Sequence, residues 1–319
     1  MKRYGYLYEK ICDLDNIIKA HYNARKSKGH YREVKMVNQN VEFYAKEIQK
    51  MLINKTFKVS KYKVKLISDK GKQRKIAKLP YFPDRIVHWA ILQIIEPIFI
   101  KNFISQTYSA IPNRGTDKAL KDARKAANKN LYVLKIDIKK YYNNVDKEIL
   151  KRKFRDLFKD KELLWILDLI VDSFKEGVPI GNYTSQYFAN FYLSELDHKV
   201  KELCHTNYFR YMDDLVIIDT KGRCKEIYKF IKFELEKLNL RLHPYTLKPI
   251  NNQLVDFVGY RFSNKRIKLR PKVKYSLKQS KRIYKKKKNL NRLTIHNISR
   301  YFSLKGKTKH IGGKNEKNH

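Results

Sequence analysis

The sequence predicts an α+β fold built around an acidic β-hairpin, and three observations point to it. Residues 209–219 place two adjacent carboxylates, Asp213 and Asp214, between two β-prone runs, which is the pattern of strand, tight turn and strand. Residues 131–138 form a second apolar, β-branched run that contains one acid, Asp137. Most other segments carry apolar residues at helical spacing, which predicts helices around these strands.

The three acids point to metal-dependent chemistry. A turn lets neighbouring Asp side chains escape the strict alternation of a strand, so Asp213 and Asp214 can reach one site. Like charges raise each other's pKa unless a cation lies between them, and hard oxygen ligands suit Mg²⁺. An Asp inside an apolar strand, as at Asp137, is costly to bury unless it is paired or metal-bound. Together they predict a two-metal site for phosphoryl or nucleotidyl transfer. The alternative for the adjacent pair is a solvated acidic turn.

The same residues resemble a known family. Tyr211 to Asp214, followed by apolar residues, is similar to the palm motif of reverse transcriptases, and Asp137 resembles the first catalytic aspartate of that palm. The resemblance implies RNA-directed DNA synthesis by a right-hand polymerase fold with fingers, an antiparallel-sheet palm and a short helical thumb. It also implies two Mg²⁺ ions, replaceable by Mn²⁺, held by Asp137, Asp213 and Asp214 with the Ile138 carbonyl as an extra ligand.

Composition agrees with a nucleic-acid partner. The 319 residues include 72 Lys and Arg against 31 Asp and Glu, a formal net charge of +41. So large an excess favours a polyanionic partner, although an AT-rich genome would also enrich Lys. No apolar run approaches the roughly 20 residues of a membrane span, and the start lacks a signal-peptide core. The three cysteines have no metal-type spacing, which fits a reducing cytoplasm.

The first third of the chain changes from helical to strand periodicity. Residues 8–53 predict helices, and residues 57–79 predict a basic hairpin with its turn at 69–72. This hairpin resembles the fingers of reverse transcriptases, where a cation pair holds the incoming triphosphate. The resemblance implies that Arg74 has this role, with Lys65 or Lys63 as its partner. The alternative is that these cations contact only the template backbone.

Two further segments resemble the first reverse-transcriptase motifs. In residues 83–90, Asp84 is predicted to cap a helix, and His88 is predicted to be structural. In residues 108–119, Thr116 is predicted to cap the next helix, and the resemblance places Arg114 near template or dNTP phosphate.

Residues after Asp137 predict the nucleotide pocket. In this family an aromatic five positions after the aspartate excludes a 2′-hydroxyl by filling space; that position is Tyr142 here. Gly181 permits close backbone approach to a ligand, and the resemblance puts Ile180 beside the substrate. Asp146 is predicted to cap the following helix.

The motif around Ile180 narrows the resemblance. Where the wider family has Gln before this glycine, the chain has Ile-Gly-x-x-x-Ser-Gln at 180–186, which is similar to the reverse transcriptases of diversity-generating retroelements. Residues 84–88 and 257–262 also resemble that branch, and the likeness covers roughly residues 60 to 262. It implies copying of a template RNA with errors at adenines, and a small basic helical accessory protein as partner. Retron, group II intron and phage-defence enzymes stay open as alternatives, as does a catalytically dead RNA-binding fold.

The last part of the chain predicts nucleic-acid contacts. Residues 225–238 predict an amphipathic helix, after which Lys248 is the nearest candidate for the proton-donating lysine of the family. Residues 255–262 resemble the primer-grip hairpin. From residue 263 onward there are 20 Lys and Arg and one acid, Glu316, which predicts a helical thumb that binds phosphates. Assigned to nucleic-acid binding are Arg114, Tyr211, Met212, Gly259, Tyr260, Lys285, Lys286, Lys287 and Lys288.

The predicted organisation has four parts. Residues 1–56 form an N-terminal helical extension, 57–130 the fingers, 131–262 the palm with finger insertions, and 263–319 the basic thumb and tail. The expected partners are template RNA, the cDNA primer or product, dNTPs and the accessory protein, in the cytoplasm of a bacterium or from a phage genome.

Overall fold

The fold is described from a computed structural model that covers residues 3–69, 72–127, 131–204, 207–250, 253–289 and 295–311. Side chains are described in these ranges except at 68, 69, 72–74, 288, 289, 295–298 and 310. The chain divides into two compact units, one of Met1–Ser105, Ile138–Lys199 and Lys232–Arg241, the other of Gln106–Asp137, Val200–Ile231 and Leu242–His319.

In its described residues, the first unit is mostly helical and carries one hairpin. Its helices are α1 Tyr8–Cys12, α2 Leu14–Ala24, α3 Arg32–Gln39, α4 Val41–Ile53, α5 Ile86–Asn102, α7 Tyr141–Asn144, α8 Lys147–Leu157, α9 Lys161–Asp172 and α10 Tyr183–Tyr192. Strands β1 Lys63–Asp69 and β2 Lys72–Lys78 pair antiparallel. Helix α5 is apolar on nearly every side, which is typical of a buried helix. Its Phe99 is fully buried and contacts a group of aromatic rings, namely Phe103, Phe154, Phe158, Tyr187, Phe188 and Phe191.

The described part of the second unit contains two antiparallel sheets. Strands β3 Tyr132–Asp137, β4 Tyr208–Tyr211, β5 Asp214–Asp219 and β6 Thr246–Pro249 form a four-stranded sheet in the order β4-β5-β3-β6. Strands β7 Val255–Phe257, β8 Tyr260–Phe262 and β9 Ile267–Leu269 form a smaller one. Helix α6 Thr116–Ala126 lies in this unit, as do α13 Pro271–Asn289, α14 Ile295–Gly306 and a 3₁₀ turn at Lys307–His310. Helices α11 Ser194–Cys204 and α12 Lys221–Lys237 each give residues to both units.

Alternation along the strands determines which face of the larger sheet is buried. Val133, Val216 and Ile218 share one face and pack in a single cluster with α6 and with buried residues of the smaller sheet. The acids lie at the end of this face, where Lys135 separates them from the buried apolar residues of β3.

Several boundaries differ from the sequence-based predictions. The basic hairpin begins at Lys63, not at Phe57, since Ser60 donates its N–H to Asp84 Oδ1 (2.9 Å) rather than to a strand. Asp84 therefore does not cap α5; it lies in a π-helical turn, Tyr81–Arg85. Gly115, with φ of +98°, occupies the N-cap of α6, so Thr116 is its first residue instead of its cap. Helix α12 begins at Lys221, four residues before the predicted start.

Other local predictions are confirmed. Residues 8–53 form helices α1 to α4. Asp146 caps α8 by accepting the N–H groups of Glu148 (2.9 Å) and Ile149 (3.1 Å). His88 is buried and its Nδ1 lies 2.9 Å from the Thr184 hydroxyl, as a structural histidine would. The cysteines are unpaired and buried.

Candidate active site

The acidic hairpin is a two-residue turn between β4 and β5. Tyr211 pairs with Asp214, so Met212 and Asp213 form the turn, and Met212 has φ of +57°. A left-handed residue at the start of such a turn matches the twist of the strands, although it costs energy for a residue with a side chain. The fully buried Arg210 compensates by donating from Nη1 to the Met212 carbonyl at 3.1 Å. A buried charged hydrogen bond therefore fixes the backbone on which Asp213 stands.

Strand β3 brings the third acid opposite the hairpin. Asp137 and Asp214 are direct cross-strand partners in the register of β3 and β5. Directly opposite residues have Cβ atoms only about 4.5–5.5 Å apart, so the two carboxylates start from neighbouring positions. Asp137 is half exposed, its carbonyl accepts the N–H of His243 at 2.9 Å, and His243 Nε2 lies 3.8 Å from its Oδ1.

Asp214 is more buried than Asp137 and is electrostatically coupled to both other acids. Burial raises the pKa of Asp214 to about 6, opposed by Lys135 and reinforced by the charges of Asp213 and Asp137. The Lys135 Nζ lies 3.1 Å from Asp214 Oδ1 and 3.0 Å from the Asp256 carbonyl. The contact with Asp214 is an ion pair, and it lowers the pKa of a carboxyl whose burial raises it.

The chemistry of the site suits a cation, although the side chains are not grouped as a cage. In the described ranges, no three His, Cys, Asp or Glu side chains lie together in an arrangement that could hold a metal ion. However, the buried Oδ1 of Asp214 has only the Lys135 ammonium beside it among the described residues, and two further carboxylates stand on the adjacent backbone. A divalent cation would satisfy that oxygen and lower the pKa of Asp214. The donors fit Mg²⁺; Ile138, whose carbonyl was the predicted extra ligand, follows directly and has a buried side chain.

Sequence reasoning missed two residues beside these acids. Lys135 lies two positions before Asp137 and therefore on the same face of β3, and this signal was available from strand periodicity. His243 reaches Asp137 from the segment before β6, and no pattern in the sequence indicates that approach.

The predicted nucleotide pocket residues are connected through the backbone of the first unit. Val178 donates its N–H to the Tyr142 carbonyl (2.9 Å), and Ala77 on β2 donates to the Ile180 carbonyl (2.9 Å). Gly181 has φ of +129°, and a Cβ there would meet the Ala77 carbonyl at 2.3 Å. Gly181 is thus required by its backbone conformation and by the close approach of β2, not by a ligand alone.

The two predicted phosphate-binding cations lie on the basic hairpin. Lys65 is exposed on β1 and pairs with Ile76. Arg74 lies on β2 opposite Ile67, and its side chain is outside the described part of the structure, as are turn residues 70 and 71.

The predicted nucleic-acid contacts fall into three groups. Lys285 and Lys286 are exposed on α13 and Lys287 is half-buried there, whereas the Lys288 side chain lies outside the described residues, as does the tail at 312–319. Tyr211 is half-buried and Met212 is buried in the acidic turn. The rest are held by structural contacts. Arg114 donates to the Thr107 carbonyl at 2.8 Å, Gly259 has φ of +91° in the β7–β8 turn, and Tyr260 is fully buried.

Lys248, the predicted proton donor, is exposed on β6 opposite Val133. Val133 lies four positions before Asp137 on β3, which corresponds to roughly 13 Å along a strand. The backbone of Lys248, which pairs with Val133, is therefore well away from Asp137. His243, by contrast, has its Nε2 3.8 Å from Asp137 Oδ1.

An acidic hairpin facing a third acid across an antiparallel sheet is the palm arrangement of nucleotide polymerases, and similarity to known proteins agrees. The family model for reverse transcriptase (RNA-dependent DNA polymerase) matches residues 61–262, more than half of the chain. This chain belongs to the reverse transcriptase family.

Relatives and solved structures give the same result. The chain is 28% identical over 169 residues to the retron Ec73 reverse transcriptase of Escherichia coli, covering 48% of this chain and 52% of that protein. It is 25% identical over 248 residues to protein YkfC of Escherichia coli K12, covering 61% and 65%. It therefore spans less than two thirds of these relatives. Telomerase from Candida albicans, solved with a fragment of telomeric RNA, aligns with a TM-score of 0.54 at 13% identity over 85% of this chain and 61% of that one. That likeness shows the right-hand polymerase fold.

Among the described residues, no helix is long and apolar enough to cross a membrane.

Proposed function

We propose that the chain is an RNA-directed DNA polymerase that extends a primer on a template RNA by two-metal nucleotidyl transfer. The observation that carries the proposal is the cross-strand pairing of Asp137 with Asp214 beside the Asp213 turn, in a member of the reverse transcriptase family. Asp137, Asp213 and Asp214 would hold two Mg²⁺ ions, for which Mn²⁺ can substitute, with the Ile138 carbonyl as a further ligand. When bound, the ions activate the primer 3′-hydroxyl and neutralise the leaving pyrophosphate.

The chain's own residues supply positioning and selection. Arg210 fixes the acidic turn, and Lys135 restrains the Asp214 carboxylate until a cation is present. Tyr142 excludes a ribonucleotide by occupying the volume that a 2′-hydroxyl needs. Arg74 and Lys65 bind the triphosphate, and the basic thumb binds the phosphates of the primer–template duplex.

Within the family we propose the diversity-generating branch, with errors at template adenines and a small basic helical accessory protein. The Ile-Gly-x-x-x-Ser-Gln pattern at 180–186 supports this branch. The 28% identity with the retron Ec73 enzyme favours a retron-type reverse transcriptase as the second candidate. Both would work in the cytoplasm of a bacterium, and both use template RNA and dNTPs.

Removing one acid tests the activity. Asp137→Ala and Asp213→Ala should each reduce Mg²⁺-dependent extension of a DNA primer on RNA roughly a thousandfold or more, because the metal ligands act as a unit. RNA affinity should change little. Asp156→Ala, which removes an exposed acid of α8, serves as the matched control and should keep normal extension. Extension by either variant within tenfold of wild type would contradict the assignment, and no extension by wild type would favour the catalytically dead fold.

A further inference from the structure

A separate cavity lies in the first unit, where helix α3 approaches the base of the basic hairpin. Its volume is about 360 Å³, and its walls come from the start of α3, the facing ends of β1 and β2, and the π-helical turn. Lys63 and Lys78, which line it, are cross-strand partners. The volume falls in the range of pockets that bind small ligands, roughly 300–1,000 Å³.

The lining is strongly basic. Arg32, Lys63, Lys78 and Arg85 contribute four cations, and Glu33 is the acid among the lining residues. Glu33 accepts a hydrogen bond from the backbone N–H of Tyr81, so its carboxylate is engaged in holding the wall. The cavity therefore presents a surplus of positive charge that favours an anion.

Arg85 indicates where the anion would bind. Its Nε is buried and has no hydrogen-bond partner among the described residues. A buried N–H without an acceptor costs about 1–3 kcal/mol, more when the group is charged. Burial also lowers the pKa of Arg85, opposed by Tyr31 and Tyr81. Arg85 also lines the cavity, and guanidinium groups match phosphate geometry, so a phosphate bound there would compensate the charge of this side chain.

Two tyrosines complete the lining. Tyr81 is fixed, because its hydroxyl lies 2.8 Å from His21 Nδ1 and donates to the His21 carbonyl at 3.0 Å. Tyr31 is 45% exposed, with its ring in edge contact with His30 at 4.6 Å between centroids. An exposed ring next to guanidinium groups is the combination that binds single-stranded nucleic acid, with the base on the ring and the phosphate on the cation.

We propose that this cavity binds one nucleotide of a single-stranded RNA, with its phosphate on Arg85 and Arg32 and its base against Tyr31. The site is additional to the acids and lies entirely in the first unit. It rests on the proposed function only in taking RNA as the polyanion. A free nucleotide shares the same chemistry, and the experiment separates the two sources.

The test compares single variants of the full chain for binding of a short, labelled oligouridylate by fluorescence anisotropy. Tyr31→Ala should raise Kd about fivefold or more, the loss of one base–aromatic stack. Arg32→Ala should raise Kd by a similar factor, whereas Lys35→Ala should change it less than about twofold, as expected for a solvated surface charge. Arg32 and Lys35 are both exposed and lie one turn apart on α3, and each substitution removes one positive charge. Because Arg32 lines the cavity and Lys35 is not a lining residue, a larger Kd change for Arg32→Ala would be due to the cavity.

Further measurements test the proposed contact between Arg85 and phosphate, and whether the ligand is RNA, a free nucleotide or an acidic peptide. Arg85→Gln should weaken binding at least as much as Arg32→Ala, with thermal melting as a check of folding. If it does not fold, the two exposed variants decide. A 4-thiouridine oligonucleotide should cross-link to the peptide that contains Tyr31. Competition by UTP at concentrations near the oligonucleotide Kd would overturn the RNA assignment in favour of a free nucleotide. Stronger competition by polyglutamate would overturn it in favour of an acidic peptide.

Binding is measured in chelator without dNTPs, so its outcome does not depend on polymerisation. Failure of the proposed function would appear as absent extension while the contrast between Arg32 and Lys35 remains. Equal Kd values for Tyr31→Ala, Arg32→Ala and Lys35→Ala would overturn the cavity proposal and leave the polymerase proposal intact.

Discussion

Two hairpins among the described residues, the acidic one and the basic one, differ in charge and in the residues that surround them. In the acidic hairpin, Leu215 to Ile218 on β5 are all fully buried. In the basic hairpin, Val64 and Leu66 on β1 are 54% and 57% exposed. Both hairpins are antiparallel with unbroken register, so backbone pairing is not what separates them.

The difference lies in what each hairpin packs against. Strand β5 lies between β3 and β4, and one of its faces adjoins a buried cluster. The basic hairpin is a two-stranded sheet that is anchored near its base. There Ala77 is buried and donates its N–H to the Ile180 carbonyl. An isolated two-stranded hairpin is marginally stable. We infer that the acids proposed to bind metal stand on a packed support, while the cations proposed to bind triphosphate stand on an exposed two-stranded element.

The largest expected difference between the two hairpins is in the free energy of unfolding lost when an apolar side chain of each is truncated to alanine. Ile217→Ala on β5 should lower the free energy of unfolding by about 2–5 kcal/mol, because it leaves a cavity in a packed core. Leu66→Ala on β1 should change it by less than about 0.5 kcal/mol, since that side chain is largely exposed. Urea denaturation of both variants measures the two values. Similar losses would show that the basic hairpin is packed as firmly as the acidic one.

A second contrast concerns the cost of burying an acid in the rigid hairpin. The pKa of Asp214 is raised by burial to about 6, above its unfolded value near 4. The native state thus keeps a proton that the unfolded chain has released, and the stability of the metal-free protein falls as pH rises from about 4 to 6. Asp214→Asn lacks this titration. Its free energy of unfolding relative to that of wild type should therefore be about 2–3 kcal/mol higher at pH 7 than at pH 4.

Urea denaturation in chelator at both pH values measures this gain. Asp156→Asn, an exposed acid, should track wild type at both pH values. Added Mg²⁺ should raise the free energy of unfolding of wild type at pH 7 and leave that of Asp214→Asn unchanged. Parallel pH curves for wild type and Asp214→Asn would show that burial does not penalise this carboxylate.

The same contrast explains what the sequence could predict. The acidic hairpin and Asp137 were predictable because apolar alternation, a turn and three acids fall within short windows. The start of the basic hairpin was predicted wrongly at Phe57, because Asp84, distant in sequence, takes the Ser60 N–H that pairing would use. His243 was missed for the same reason, since its contact with Asp137 is made by chain folding and not by spacing. Lys135 was within reach of strand periodicity.

The smallest expected effect concerns Ile180, where the basic hairpin is anchored. Its carbonyl accepts the N–H of Ala77, and its side chain is only half-buried, so a Gln can replace it without entering a core. The side chain of Ile180 has no hydrogen-bond donor or acceptor, whereas that of Gln has both. One added hydrogen bond near a nascent base pair is worth about 1 kcal/mol, which corresponds to a several-fold change in error rate.

We predict that Ile180→Gln lowers misincorporation opposite template adenine more than opposite the other bases, as measured by sequencing cDNA made by both enzymes on one template. Ile180→Leu, which keeps the side chain apolar, is the matched control and should keep the wild-type spectrum. If Gln and Leu give the same spectrum, Ile180 serves only to anchor β2, and the diversity-generating branch loses its main support. If only Gln changes the spectrum, Ile180 both anchors β2 through its carbonyl and takes part in base selection through its side chain.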